Sequence, residues 1–402
     1  MVSVGIDISK GKSMVCIFRP YGEVVMSPYE VNHTDEDLVE LCERIKGIEE
    51  EVRVVMEATG AYHLPVLQQL KRCGIFVSVI NPLLMKRYAQ TSIRKGKTDK
   101  LDAIRIANYG IDNWFKLEDY QQPREVYEEL RFLGRQYAHY IKIRVESKVS
   151  LALILDRTMP GIKKLIPNIS RSDLPTKDKL SDFLEEYWHY DIITEFGEDL
   201  FVSNYCRWAK EKGYHASAAK AKAIYQVAES GIPTLSSSAA STKMLTLEAI
   251  KVLRETNKTL FVILTQMQKL ATALPEYEIV RAMGGVGAVL APRLIAEIGD
   301  VKKFRNGSAL IAYAGLDSPP FESGAFVGTK RSISKRGSSL LRKTGYEVMS
   351  SLKTVKPVDD SVYKFMLKKE SEGKPRKVAK IAALNKFLRI YYARVKEVYS
   401  AA

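Results

Sequence analysis

The sequence has few of the residues that form disulfides and zinc sites. Its 402 residues include four cysteines and five histidines, with no C-x-x-C pair and no histidine at metal-ligand spacing. This pattern argues against a disulfide scaffold and against a structural zinc site. We expect the four cysteines, Cys16, Cys42, Cys73 and Cys206, to be reduced thiols in the core.

Long apolar runs and nucleotide-binding glycine loops are also missing. No uninterrupted apolar run approaches the length of a bilayer-spanning helix, and no G-x-x-x-x-G-K-[ST] motif occurs. The first residues have the pattern of a strand rather than of a signal peptide. We therefore expect a cytoplasmic protein with no membrane partner and no need for ATP.

Positive charge is abundant and unevenly distributed. The net charge is +15, and the segment from Lys330 onward holds nineteen Lys and Arg against six Asp and Glu. A concentrated basic tract is typical of a protein that binds nucleic acid, because its cations displace counterions from phosphates. A solvated cationic surface that serves solubility is the alternative.

The first 118 residues alternate strand-like and helix-like patterns. Runs rich in β-branched residues predict strands at residues 2–8, 14–18, 23–27, 52–56 and 75–80. Helical periodicity predicts helices at residues 36–46, 63–73, 82–90 and 98–110. This alternation is typical of an α/β domain.

Four acids of this region are candidate metal ligands. Asp7 and Glu57 lie on or at the end of apolar runs that predict strands, and Asp99 and Asp102 project from one face of a predicted helix. Four acids at close range would repel one another and raise their own pKa values unless a divalent cation lay among them. Hard oxygen ligands suit Mg²⁺ or Mn²⁺. Taken singly, each acid has a simpler interpretation as the cap of a turn or helix.

Two long amphipathic helices are predicted after Pro123. Apolar residues recur at steps of three and four from Val126 to Leu155 and again from Leu245 to Leu270. Such helices pair either with each other or across subunits as coiled-coil-like arms, and the sequence leaves both open. Residues 156–240, between them, match no motif.

A glycine-rich turn precedes the basic tract. Gly284-Gly285-Val286-Gly287 and the apolar residues 288–298 resemble a helix-hairpin-helix element. In such an element the turn at Gly285 and Gly287 presents backbone N–H groups to a phosphate. A tight interhelical turn that packs Ile295 and Ile298 explains the glycines nearly as well.

Residues 313–342 combine proline, glycine, serine and cations. The cations are Lys330, Arg331, Lys335 and Arg336. A serine hydroxyl is a poor nucleophile unless a base or nearby cations stabilise its alkoxide. From the residues alone, Ser323 competes for this role with other serines of the segment, such as Ser318 and Ser334.

Several motifs together resemble a known family. The order of acids on a strand–turn–strand opening resembles the RNase H and Holliday-junction-resolvase (RuvC-like) fold. The segments G-I-D-I-S-K, M-E-A-T-G-A-Y and K-T-D-K-L-D-A-x-x-I-A, which begin at residues 5, 56 and 97, look like the amino-terminal domain of IS110-family transposases. The carboxy-terminal part is similar to that family in Ala314-Gly315-Leu316, Pro319, Ser323-Gly324, residues 333–337 and residues 373–379.

The resemblance implies an enzyme that recombines DNA. It implies that Ser323 is the nucleophile, that Asp7, Glu57, Asp99 and Asp102 hold Mg²⁺ or Mn²⁺, and that Lys335 and Arg336 steady the phosphate. Members of the family act on donor and target DNA with a structured non-coding guide (bridge) RNA, and they assemble as dimers that join into tetramers. We add Lys330, Arg331, Lys374, Arg376 and Lys377 of the basic tract as expected nucleic-acid contacts.

The sequence thus predicts three parts. They are an α/β RNase H/RuvC-like domain at 1–118, a helical arm with an inserted segment at 119–275, and a mainly α carboxy-terminal domain with the catalytic serine at 276–402. Two alternatives of other kinds are a junction-resolving nuclease that uses the four acids and water, and a non-catalytic nucleic-acid-binding protein. A site-specific DNA invertase of the same family would share every residue named.

Overall fold

The computed structural model describes residues 1–90, 98–166, 178–318, 322–323, 326–327 and 332–401. It divides into two compact units, Met1–Gln122 and Pro123–Ala402. No helix in these described ranges is long and apolar enough to cross a membrane. The predicted boundaries at residues 118 and 275 stay a prediction.

The first unit is built around a five-stranded mixed sheet. Its strands are β1 (Val2–Ile8), β2 (Lys12–Phe18), β3 (Val24–Asn32), β4 (Val52–Glu57) and β5 (Val77–Ile80), in the spatial order β3-β2-β1-β4-β5. Neighbours β3, β2 and β1 are antiparallel, whereas β1, β4 and β5 are parallel. The predicted RNase H-like fold is confirmed by this mixed sheet and its strand order.

Helices cover both faces of this sheet. They are α1 (Asp35–Lys46), α2 (Leu64–Arg72), α3 (Pro82–Ala89) and α4 (Asp99–Asp112). Alternation along β1 determines its two faces: Val2, Val4 and Ile6 enter a core with α1 and α2, and the residues between them face α4. The free cysteines Cys16 and Cys42 are buried, and Cys73 and Cys206 are partly buried, in agreement with the expectation of reduced thiols.

The second unit is mainly helical. It begins with α5 (Glu125–Thr158), α6 (Ile162–Leu165), α7 (Lys179–Glu186), α8 (Tyr190–Thr194), α9 (Glu198–Glu211), α10 (Ala218–Ser230) and α11 (Ala240–Thr272). It continues with α12 (Tyr277–Arg281), α13 (Leu290–Ile298), α14 (Gly307–Tyr313), the short strands β6 (Glu322–Ser323) and β7 (Phe326–Val327), α15 (Ser339–Val355), α16 (Ser361–Ser371) and α17 (Arg376–Ala401).

The two long helices pair with each other within the chain. Leu130 at the start of α5 shares a core with Met267 near the end of α11, and Leu155 shares another with Ile250, so the helices run antiparallel. The first core also contains residues of α12–α17, and the second contains residues of α6–α10. Of the two arrangements that the sequence left open, the chain adopts intramolecular pairing.

Candidate functional site

Two of the predicted acids lie side by side at the ends of parallel strands. Ile6 of β1 pairs with Met56 of β4, so Asp7 and Glu57 are the next positions along each strand. Residues in register on parallel neighbours point to the same face, and the strands are about 4.8 Å apart. Asp7 and Glu57 therefore lie on the α4 side of the sheet, both partly buried.

Helix α4 brings the other two acids to the same edge. It lies directly on β1, because a Cβ atom at Gly5 would be only 2.4 Å from the backbone nitrogen of Ala107, and one at Gly110 would be 2.2 Å from Ser3 Oγ. Since α4 approaches Ser3 with its carboxyl end and Gly5 with its middle, its first turns lie beside Asp7. Those turns carry Asp99 and Asp102.

Local sequence determines where α4 begins. The Thr98 hydroxyl accepts a hydrogen bond from the backbone N–H of Leu101 at 3.2 Å and so caps the helix. Asp99 is the first helical residue, and Asp102 lies three residues later on the same side. Asp99 is exposed, whereas Asp102 is partly buried.

Charges at this edge act on one another. Burial raises the pKa of Glu57, and the negative charge of Asp102 raises it further. Asp102 in turn forms an ion pair with Arg105, with 2.7 Å between Oδ1 and Nη1. Lys12, at the start of β2, donates a hydrogen bond to Glu30. This contact raises the pKa of Lys12, and the negative charge of Asp99 raises it further. The structure thus brings Glu57 close to Asp102 and places Asp99 near Lys12.

The donor set suits a hard cation in kind but is not drawn together around one point. Carboxylate oxygens are the ligands that Mg²⁺ and Mn²⁺ take, and a cation would offset both the burial and the charge of Asp102 that raise the pKa of Glu57. Within the described residues, no three His, Cys, Asp or Glu side chains meet in a metal-binding arrangement. Binding would require Asp102 to turn from Arg105 toward Glu57 and Asp7.

For Ser323 the structure describes the position of the backbone. It is the last residue of β6 and pairs with Phe326 of β7, in a two-stranded antiparallel sheet. Its side chain lies outside the described part of the chain, and so do Lys330 and Arg331 entirely. The role of Ser323 as nucleophile stays a prediction.

The segment that carries Lys335 and Arg336 is held against the end of α14. The Ser334 hydroxyl donates to Asp317 Oδ1 at 2.5 Å, and the Lys335 N–H donates to the Gly315 carbonyl at 3.0 Å. Lys335 has a φ of 55°, which is unusual for a residue with a side chain. The two cations are exposed on a turn that these hydrogen bonds hold against Gly315 and Asp317. Their contact with a phosphate stays a prediction.

The glycine turn before α13 has a packing role. A Cβ atom at Gly285, whose φ is +78°, would be 2.7 Å from the carbonyl oxygen of Val348 in α15. Ile295 and Ile298 are fully buried behind it. These contacts account for Gly285 as the sequence alternative proposed, whereas a Cβ atom at Gly287 would meet nothing within 4 Å. Phosphate binding at Gly285 and Gly287 stays a prediction.

The predicted basic contacts of the tail share one turn. Lys374, Arg376 and Lys377 are all exposed where α16 ends and α17 begins. Three neighbouring cations that face water are suited to contact phosphates.

Sequence reasoning missed three residues that shape the acidic edge. Gly5 determines how closely α4 approaches the sheet, Arg105 occupies Asp102, and Lys12 lies near Asp99. The i,i+3 spacing of Asp102 and Arg105 was the available signal for the ion pair. No local signal points to the contact between Gly5 and Ala107, which are distant in sequence.

Comparison with known proteins gives matches at both ends of the chain. A family model described as the IS110 DEDD transposase matches residues 4–160, and one described as transposase IS116/IS110/IS902 family matches residues 277–364. The pilin gene-inverting protein of Moraxella lacunata is 23% identical over 353 residues, covering 86% of this chain and 80% of that protein. The insertion element IS116 44.8 kDa protein of Streptomyces clavuligerus is 25% identical over 333 residues, covering 81% and 78%.

Among solved structures, Thermus thermophilus RuvC matches with a TM-score of 0.22 and 15% identity, over 28% of this chain and 95% of that one. The two family models, in contrast, coincide with the motifs already described. The first spans all four acids on β1, β4 and α4, and the second spans the glycine turn, Ser323 and residues 332–338. Because both halves of one family's pattern occur in order on a single chain, the chain belongs to the IS110 family of transposases.

Proposed function

We propose that this protein is a DNA recombinase that cuts and rejoins strands through the Ser323 hydroxyl, assisted by a divalent metal at the acidic edge of the first unit. The observation that carries the metal part is the approach of Glu57 to Asp102: burial raises the pKa of Glu57, and the negative charge of Asp102 raises it further. Two neighbouring carboxylates do not stabilise a fold by themselves, whereas a cation between them would stabilise both charges.

The acids have distinct positions in this proposal. Asp7 and Glu57 are fixed on the sheet, and Asp99 and Asp102 are carried by α4, so a cation would be held between a strand edge and a helix start. When bound, Mg²⁺ or Mn²⁺ would neutralise charge on the scissile phosphate. Arg105 forms an ion pair with Asp102, and a bound cation would take its place as the positive partner of that carboxylate.

The second unit supplies the nucleophile. The Ser323 oxygen loses its proton and attacks phosphorus, the scissile P–O bond breaks, and the leaving oxygen takes up a proton, so the phosphate becomes an ester of serine. A hydroxyl of another strand then attacks that ester and regenerates Ser323. The phosphodiester energy is conserved, in agreement with the absence of a nucleotide-binding loop. Lys335 and Arg336, which are exposed on the turn that follows, would contact the phosphate.

The partners follow from the same proposal. We propose that the protein acts on donor and target DNA together with a structured guide RNA, and that its dimers join into tetramers. We also propose that the chain divides into three parts at residues 118 and 275. Inversion of a DNA segment is a second candidate reaction, because two relatives that each cover 86% of this chain are named as pilin gene-inverting proteins. Transposition and inversion use the same strand exchange.

A covalent-trapping experiment tests the proposed chemistry. A nicked suicide substrate, whose cleaved end diffuses away, should accumulate a denaturation-resistant protein–DNA adduct that peptide mapping places on Ser323. Ser323→Ala should give no adduct and background strand exchange while it still binds DNA. The matched control is Ser318→Ala, which should leave the adduct unchanged. Cleavage by Ser323→Ala at the wild-type rate, with no adduct in either protein, would instead support water as the nucleophile and a junction-resolving nuclease.

A further inference from the structure

A cavity of about 450 Å³ lies in the second unit at the start of α15. It is lined by Arg131 and Arg135 of α5, Glu297 of α13, Tyr313 of α14 and residues 337–340. We call it the α15 cavity. Its size is within the range of cavities that hold small ligands, and none of its residues belongs to the proposed metal or nucleophile sites.

Two polar groups of the α15 cavity lack partners. Glu297 is only 3% exposed, and its Oε2 accepts a hydrogen bond from the Ser338 hydroxyl at 2.7 Å. Its Oε1 is buried without a hydrogen bond in the described part of the chain, and so is the Nε of Arg131. A buried polar atom without a hydrogen bond destabilises the folded state. One acceptor atom and one donor atom without partners therefore belong to side chains that line the α15 cavity.

The neighbouring contacts fix these two side chains. Nη2 of Arg131 donates to the Tyr313 hydroxyl at 2.8 Å, and that hydroxyl donates to the Glu297 backbone carbonyl at 3.2 Å. Ser338 is engaged twice, since its oxygen also accepts from the Leu341 N–H at 3.0 Å. Because their partners hold both side chains, neither can turn freely to satisfy its remaining atom.

The α15 cavity also suits an anion. Arg135 is exposed beside it, and α15 begins there with the backbone N–H groups of its first turn. The Ser338 side chain accepts a hydrogen bond from the N–H of Leu341. The positive end of the helix dipole lies at this same helix start. A complementary ligand would therefore offer one hydrogen-bond donor and one acceptor to the interior of the cavity, and a negative charge to its rim.

An unpaired nucleotide meets all three requirements. The edge of a nucleobase presents a donor beside an acceptor, and its phosphate supplies the charge. We propose that the α15 cavity binds one unpaired nucleotide of a nucleic-acid strand, with its base edge on Glu297 and Arg131 and its phosphate on Arg135 and the start of α15. The choice of ligand class rests on the proposed function, because strand exchange exposes unpaired nucleotides.

The test compares hairpins with and without one bulged nucleotide. The full-length protein, in chelator so that no strand is cut, is titrated with fluorescent DNA hairpins that are fully paired or carry a single bulged A, C, G or T, and with RNA copies of each. The bulge should tighten binding by about tenfold, with a difference among the four bases. Whether the DNA or the RNA series shows this preference identifies the strand that supplies the nucleotide.

Variants separate the base from the phosphate. Glu297→Gln keeps the bond from Ser338 but offers an amide in place of the free carboxylate oxygen, so it should change the order of preference among bases. Arg135→Ala should weaken all bulged hairpins about equally. Lys142→Ala is the matched control, since this exposed cation lies two turns further along α5, outside the α15 cavity. It should change nothing in the bulge preference.

Two outcomes would overturn the inference. They are equal affinity of the wild type for paired and bulged hairpins, and an unchanged base order in Glu297→Gln, which would mean that water satisfies these groups. If Glu297→Gln does not fold, Arg131→Lys carries the same test, because it keeps the charge and removes Nε. A protein that forms the Ser323 adduct but shows no bulge preference loses only this inference. One that shows the preference and forms no adduct loses only the proposed strand-exchange mechanism.

Discussion

Gly5 of β1 lies directly beneath Ala107 of α4, so close that a Cβ atom at Gly5 would be 2.4 Å from the backbone nitrogen of Ala107. Real side chains do not approach a backbone that closely, so only glycine allows the helix to rest on this strand. The distance between sheet and helix sets how far Asp99 and Asp102 lie from Asp7 and Glu57. Gly5 is therefore a positioning residue of the acidic edge.

Replacing Gly5 should test this relationship. We expect Gly5→Ala to lower the free energy of unfolding by about 1–3 kcal/mol, because the added methyl group forces α4 away from the sheet. Strand exchange should fall further than stability explains. Thermal melting and a recombination assay on the same preparation measure both effects. Gly47→Ala is the control: its φ is −69° and the nearest atom would be 3.5 Å away, so its melting temperature should stay close to that of the wild type.

The metal hypothesis predicts a sharp difference between two acids on one helix. Asp102→Asn should reduce recombination by about 100-fold or more with little change in DNA affinity, because it removes a ligand that acts on the transition state. Asp112→Asn, at the other end of α4, changes an acid that accepts a hydrogen bond from Tyr88 and should remain active. Plasmid recombination with added Mg²⁺ measures both. Full activity of Asp102→Asn would contradict the metal site.

Much of the first unit could be predicted from the sequence because its signals are local. Alternating β-branched residues predict β1 and β4, and the spacing of Asp99 and Asp102 predicts that both share one face of α4. The approach of Glu57 to Asp102 does not follow from these local signals alone, because Glu57 ends a strand and Asp102 lies on a helix. The ion pair of Asp102 with Arg105 was within reach of the same spacing rule, whereas the contact of Gly5 with Ala107 depends on how the chain folds back.

The second unit was less predictable because its contacts are distant in sequence. The apolar stripes of α5 and α11 are the same whether the helices pair within one chain or between two, so the sequence alone did not decide. Residues 156–240 match no motif, yet Phe183, Tyr205 and Trp208 form an aromatic core with the last turns of α5 and the first half of α11. Such a core is defined by which helices meet, and periodicity does not specify that.

The raised pKa of Glu57 predicts a pH-dependent stability. Because the folded state raises this pKa above its ordinary value of 4.5, the folded protein holds the proton more tightly than the unfolded chain, and ionisation costs stability. The cost is absent below pH 4.5 and develops as the pH rises through the raised value. In chelator, Glu57→Gln should therefore melt at a higher temperature than the wild type at pH 7, with the difference vanishing near pH 4. Glu51→Gln, at an exposed acid just before the opposite end of β4, is the control and should show no such gain.

Magnesium should act on the same balance. A cation that binds the folded protein and not the unfolded chain raises its melting temperature, and the rise grows with the ratio of cation concentration to Kd. The rise on adding Mg²⁺ at pH 7 should be larger for the wild type than for Glu57→Gln, since the variant lacks one ligand. Equal rises in both proteins would show that Glu57 does not contact the cation.

The exposed turn between α16 and α17 gives a prediction about affinity rather than chemistry. If Lys374, Arg376 and Lys377 contact phosphates, changing all three to alanine should flatten the log–log dependence of DNA binding on salt by about two to three units, near 0.9 for each lost contact. Fluorescence anisotropy with one duplex, from low to moderate salt, measures the slope. The matched triple variant changes three exposed lysines of the paired long helices to alanine, namely Lys142, Lys258 and Lys269. It removes the same charge at other places and should keep the slope.

An equal fall in both variants would mean that net charge alone drives binding, and an unchanged slope in the first would mean that its cations face only solvent. Repeating the titration with a structured RNA would show which nucleic acid this turn contacts, because the slope changes only for the ligand whose phosphates it neutralises.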